Sequence, residues 1–138
     1  MKKLLLILIA VILVYAAVNH KFLEAMAYLH DRDASNDAKA VSLLEDAINN
    51  DSDRKSAFLL GYYYKTTKFN NINLIKSHNN YLKAASWGDK EAKMIVAWNL
   101  YKAKGCDKDI AQAKEMLTQL AIAGNDKAKE VLKFVIRN

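Results

Sequence analysis

One pattern limits what this chain can fold into: a helix and its stop recur at a nearly constant interval. Gly105-Cys106-Asp107-Lys108-Asp109 leads into Ile110 and an apolar series through Ala113, Met116, Leu117 and Ala121, ending at Gly124-Asn125. That order is a glycine-containing loop, a helix cap, an amphipathic helix and a glycine stop. Fainter copies lie upstream, for Ala84 follows Ala47 by 37 residues and Leu120 follows Ala84 by 36. The starts Asn36, Asn73 and Asp109 keep these offsets, and each side chain can accept a backbone N–H as an N-cap. Asp109 followed by Gln112 is close to a capping box. Just past the stops, Ser52, Asp89 and Asn125 repeat the spacing and are expected to cap the helices that follow. A fixed period in this range belongs to stacked helix pairs, because one pair cannot bury its apolar stripe alone.

Apolar spacing predicts helices over 22–29, 40–48, 57–64, 74–87, 92–103, 110–123 and 128–136, and strand-type alternation is hard to find. Polar stretches at 31–37 and 65–71 separate them, and short polar loops between helices imply antiparallel neighbours. The expected fold is all-α, a solenoid of three helix pairs closed by a capping helix.

Ahead of this lies Met1-Lys2-Lys3 and an uninterrupted apolar run from Leu4 to Val18. The run is shorter than the roughly 20 residues that span a bilayer, and fits a secretory signal of residues 1–18. Val14-Tyr15-Ala16 offers small residues for cleavage before Ala17; the alternative is an uncleaved anchor with Tyr15 and His20 at the interface. In both cases the lysines hold the N-terminus in the cytoplasm and the remainder, 19–138, is exported, to a bacterial periplasm by its style of composition. Membrane contact is expected only through this segment if it stays.

Composition removes several function classes. The net charge is +6, of which Lys2 and Lys3 belong to the leader, and no basic block exceeds two residues. That is too dispersed for nucleic acid or for a polybasic membrane patch. Cys106 stands alone and cannot form an internal disulfide. His20, His30 and His78 are scattered without a second ligand at metal spacing, and no phosphate-cradling loop or nucleophile elbow is present. No metal, cofactor or catalytic residue is assigned, and the chain is read as a non-enzyme.

The repeat resembles the Sel-one-like repeat (SLR), a relative of the tetratricopeptide repeat. The third unit carries the resemblance best, in Ala92, Ala97, Gly105, Cys106 in a valine place, Lys108-Asp109, Ala113, Leu117, Ala121 and Gly124. The second matches in Leu60-Gly61, Tyr64, Tyr81, Lys83-Ala84-Ala85 and Gly88, and the first only in Lys39-Ala40, Leu44 and Ala47. The glycine-valine pair is lacking at 32–37 and 69–73. The resemblance implies repeats at about 22–51, 52–88 and 89–124 with a cap at 126–137. It also implies a binding surface on the concave face of the first helix of each pair, helix A.

Small residues at Gly61 and Ala97 would let helix A approach its partner, and Gly88 and Gly124 would supply the left-handed stop. Ala128, Val131, Leu132 and Val135 give the last helix a covering stripe, with Lys129, Lys133 and Arg137 on its polar side. Trp87 is read as core. Tyr62, Tyr63 and Tyr64 are consecutive, so one helix cannot bury all three. Tyr62 lies 36 residues before Trp98, on the equivalent face of the next repeat. Tyr62, Tyr63, Lys65, Trp98, Asn99, Tyr101 and Lys102 are therefore the candidate partner-binding residues; for Trp98 the alternative is filling the seam between repeats. The expected function is an exported adaptor or regulator that binds a protein. Alternatives implied by the family are a periplasmic immunity protein against a secreted toxin and, from another class, a β-lactam or peptidoglycan hydrolase. The paired cysteines of relatives linked to β-lactam chemistry are missing here.

Overall fold

The computed structural model describes residues 2–30, 34–67 and 71–137. Among these residues there are seven α-helices and no strand: α1 (Lys2–His30), α2 (Ala34–Asp51), α3 (Arg54–Thr66), α4 (Asn71–Ser86), α5 (Lys90–Lys102), α6 (Ile110–Ile122) and α7 (Asp126–Arg137). The break expected at 31–37 and the loop expected at 69–73 lie partly outside the described residues; the described parts, 34–37 and 71–73, are already helical. The chain forms two compact units, Met1–Ser56 and Ala57–Asn138, the second beginning inside α3.

In the first unit the leader and the first helix of the repeat are one continuous 29-residue helix, about 43 Å long at 1.5 Å per residue. Its apolar residues from Leu6 to Tyr15 face solvent. Leu6–His30 is long and apolar enough to cross a membrane by length and composition. From Lys21 onward α1 becomes two-sided: Ala25 is fully buried and Phe22 and Leu29 are half-buried, where the helix packs on α2. Lys21 closes the contact by pairing with Asp46 and, at 3.1 Å, with Asp51. Its ammonium holds the Asp46 carboxyl below the ordinary range.

In the second unit α5, α6 and α7 each pack on the one before, across turns short enough to reverse the chain, and α3 meets α4 where Phe58 and Gly61 lie against Tyr81. The repeat shows in what is buried. Ala40, Ser77 and Ala113 are buried at equivalent places, as are Leu44, Tyr81 and Leu117, and Ala47, Ala84 and Leu120. These sets keep the 37- and 36-residue spacings. Leu120, not Ala121, is the buried member of its set, Ala85 and Ala121 being half-buried.

The stops keep a different interval. Ser52, Gly88 and Gly124 all have left-handed backbone, with φ of 51°, 90° and 87°, at an even spacing of 36. The second helix of the first pair is thus one residue longer between its buried alanine and its stop. The caps shift with it, which corrects the expectation for Ser52. Asp53 accepts from the Ser56 N–H (2.9 Å), as Asp89 does from Ala92 (2.9 Å) and Asn125 from Ala128 (3.0 Å). Asn36 and Asn73 are not N-caps either, because α2 and α4 begin at Ala34 and Asn71 and place both inside the first turn. Asn73 instead donates to the Thr67 carbonyl at 2.8 Å. Asp109 caps α6 as expected, accepting from the Gln112 N–H at 2.8 Å.

Ser52 holds a conformation that a side chain disfavours and glycine does not. Ser52→Gly is expected to stabilise the fold by about 1 kcal/mol, read as a raised urea midpoint at unchanged slope. A midpoint that stays or falls would refute this.

Gly61 is buried against Tyr81 of α4, and the Ser77 hydroxyl donates to the Gly61 carbonyl at 2.8 Å. Thirty-six residues on, Ala97 is also buried; the next equivalent, Lys133 of α7, is exposed. α7 buries Ala128 and Val135 and leaves Lys129, Lys133 and Arg137 in solvent, the two-sided character expected of a covering helix. Trp87 lies in the turn after α4 and is half-buried, outside the core.

Candidate functional site

α5 is bounded by Asp89 at its start and by Ala103, in left-handed backbone, at its end. Ala92, Val96, Ala97 and Leu100 fill one side of it with core. The 3.6-residue period turns Met94, Ile95, Trp98 and Asn99 to another side, where they form the floor of a groove of 330 Å³. Lys65 from the last turn of α3, Lys104 from the loop after α5, and Lys127 from the first turn and Val131 from the middle of α7 complete the lining. Lys65, Lys104 and Lys127 are exposed, and none makes an ion pair among the described residues. The groove therefore joins an apolar floor to a cationic rim, with no carboxylate among the described residues of its lining.

Trp98 is half-buried and held from behind by aromatic rings. Its centroid lies 5.7 Å from Tyr101 and 6.0 Å from Phe134, which are 6.1 Å from each other. The Lys102 ammonium sits over all three, at 5.2 Å from Trp98, 4.9 Å from Tyr101 and 5.9 Å from Phe134. Ring edges and a cation over ring faces are favourable arrangements, so the indole is fixed before anything binds.

Of the residues expected at a binding surface, Lys65, Trp98 and Asn99 meet in the groove. Tyr101 is buried behind it, with Lys102 over its ring. Tyr62, 53% exposed on α3, does not line the groove, and Tyr63 is half-buried edge-on to Tyr64 at 5.5 Å. The sequence reading missed Met94, Ile95, Lys104, Lys127 and Val131 in the lining and, in the ring cluster, Phe134. Phe134 was within reach, because it follows Trp98 by the same 36 residues that separate Trp98 from Tyr62.

Other reactive groups are scattered. Cys106 is half-buried, its Sγ 3.8 Å from the Lys104 carbonyl, and burial with the nearby Asp107 charge pushes its thiol above the ordinary range. That is the wrong direction for a nucleophilic thiolate. His78 is buried on α4 with Nδ1 unpartnered, and burial lowers its pKa. His20 faces Glu24 at 3.6 Å on α1.

No family model matches the sequence, and no functionally curated protein does. Among solved structures, the crystal structure of a Sel1 repeat protein from Oxalobacter formigenes superposes with a TM-score of 0.68 at 28% identity. The match covers 84% of this chain and 87% of that one. Together with the recurrent buried sets and left-handed stops, this makes the chain an SLR- and tetratricopeptide-like helical repeat protein, an all-α solenoid.

Proposed function

We propose that this chain is an exported, non-catalytic module that binds a protein through the helix A face of its second and third repeats, taken as 52–88 and 89–124. The carrying observation is the groove on α5, where a pre-positioned Trp98 stands among apolar neighbours that the repeat packing leaves uncovered. A large aromatic in a recess with a polar rim is the usual anatomy of an interface centre. Helical-repeat architecture supports the same reading, since its long side walls serve binding rather than chemistry.

α1 supports export. Removal of residues 1–16 would leave Lys21, Phe22 and Ala25 in place against α2, so the fold tolerates either a cleaved signal or a retained anchor. The intact mass of the purified chain reads the choice: Ala17 as first residue means cleavage, and Met1 means an anchor.

The binding reading is tested with the tagged full chain in extract of its native envelope. One protein retained in stoichiometric amount is expected, with retention falling about tenfold or more in Trp98→Ala at unchanged helicity. Retention indifferent to Trp98 would refute the assignment of the surface. Turnover of a chromogenic β-lactam above the buffer rate would refute the non-catalytic reading.

A further inference from the structure

We infer that the α5 groove takes an acidic stretch of protein carrying one large apolar side chain. The inference rests on the protein-binding reading and adds the partner's chemistry to it. Three features select that occupant. The floor of Met94, Ile95, Trp98 and Val131 is apolar and has room for a bulky side chain, not for a flat surface. The charged residues in its described lining all have one sign, Lys65, Lys104 and Lys127 arriving from three different segments. Among the described residues the other polar groups in the lining are the Asn99 amide and the Trp98 indole N–H, both neutral, so an incoming cation would meet no counter-charge in that lining.

The arrangement also divides the work between affinity and specificity. Lys102, the cation nearest the indole, is occupied over the ring cluster and is absent from the groove lining. The rim lysines reach toward solvent, where charges chiefly raise the rate of encounter and reject partners of like sign. The apolar anchor on Trp98 supplies residence time. An acidic segment without the anchor would meet the groove often and leave quickly; a basic one would seldom meet it.

The test uses the full chain in a non-ionic detergent and fluorescein-labelled peptides read by anisotropy. One peptide has glutamates on both sides of a single phenylalanine, a second has lysines for the glutamates, and a third has alanine for the phenylalanine. The first is expected to bind, and both substitutions to weaken binding about tenfold or more. Raised salt should weaken it further. Lys65→Glu with Lys127→Glu should abolish binding, while Lys65→Arg with Lys127→Arg should preserve it; all these positions are exposed, so the fold is not at stake. Equal binding of the basic peptide would overturn the inference. So would stronger capture by anionic phosphatidylglycerol vesicles that depends on the same lysines, since the groove would then face lipid. A partner from envelope extract that needs Trp98 but ignores both lysine reversals would overturn the acidic occupant and leave the binding module standing.

Discussion

Gly105→Ala is expected to cost about 3 kcal/mol or more, several times the cost of the same change at Gly124. Both glycines have left-handed backbone, with φ of 71° and 87°, so each loses about 1 kcal/mol when a Cβ is added. They differ in what the Cβ would meet. At Gly124 nothing lies within 4 Å. At Gly105 it would stand 2.1 Å from the Leu74 carbonyl oxygen and 2.4 Å from its carbon, backbone atoms at the start of α4 that cannot rotate aside. The loop cannot lift away freely, because both of its ends are tied to α5. Lys104 donates to the Asn99 carbonyl at 3.0 Å, and Asp109 to the Leu100 carbonyl at 3.0 Å. Thermal unfolding of the two variants side by side decides it. A fall of about 10 °C or more is expected for Gly105→Ala and a few degrees for Gly124→Ala; equal falls would mean that the close approach to α4 carries no weight.

That contact also shows where sequence reading stops. Gly105 was legible as a loop glycine, and Asp89, Asp109 and Asn125 as caps, because turn and cap chemistry is local and written in a few consecutive residues. That Gly105 must be small because another helix's backbone lies against it is a tertiary fact. The interval between buried residues was legible too, and carrying it past the helix end is what misplaced the first cap. One additional helical residue before Ser52 moved the stop and left Asp53 to do the capping. Asn36 and Asn73 failed for a related reason: asparagine suits a cap in isolation, but the helices start earlier. The groove was half legible. Trp98, Asn99 and Lys65 stood out by type, whereas Met94, Ile95 and Val131 look like ordinary helix apolars until neighbouring helices determine which of their faces stays uncovered.

Tyr81→Ala is expected to remove about 3–5 kcal/mol, and to reverse the sign of a second substitution. Tyr81 is 1% exposed, wedged between Phe58 (centroids 5.3 Å, edge-on) and the bare backbone of Gly61. Burial, with Tyr62 and Glu91 adding to it, raises its phenol pKa, so the ring stays neutral in the core. A Cβ on Gly61 would meet three of its ring carbons at 3.1–3.2 Å, closer than carbons at rest by several tenths of an ångström. With Phe58 behind it the ring has little room to retreat. Gly61→Ala alone therefore sets an overpacking cost of about 1–3 kcal/mol against a helix-propensity gain of about 1 kcal/mol, and should destabilise. In the Tyr81→Ala background the obstruction is gone and only the propensity gain remains, so the same Gly61→Ala should stabilise by about 0.5–1 kcal/mol. The double-mutant cycle in urea isolates this coupling from the large cavity term. Additive effects at the two positions would show that α3 and α4 are not held apart by this one ring, and that glycine at 61 answers to something other than Tyr81.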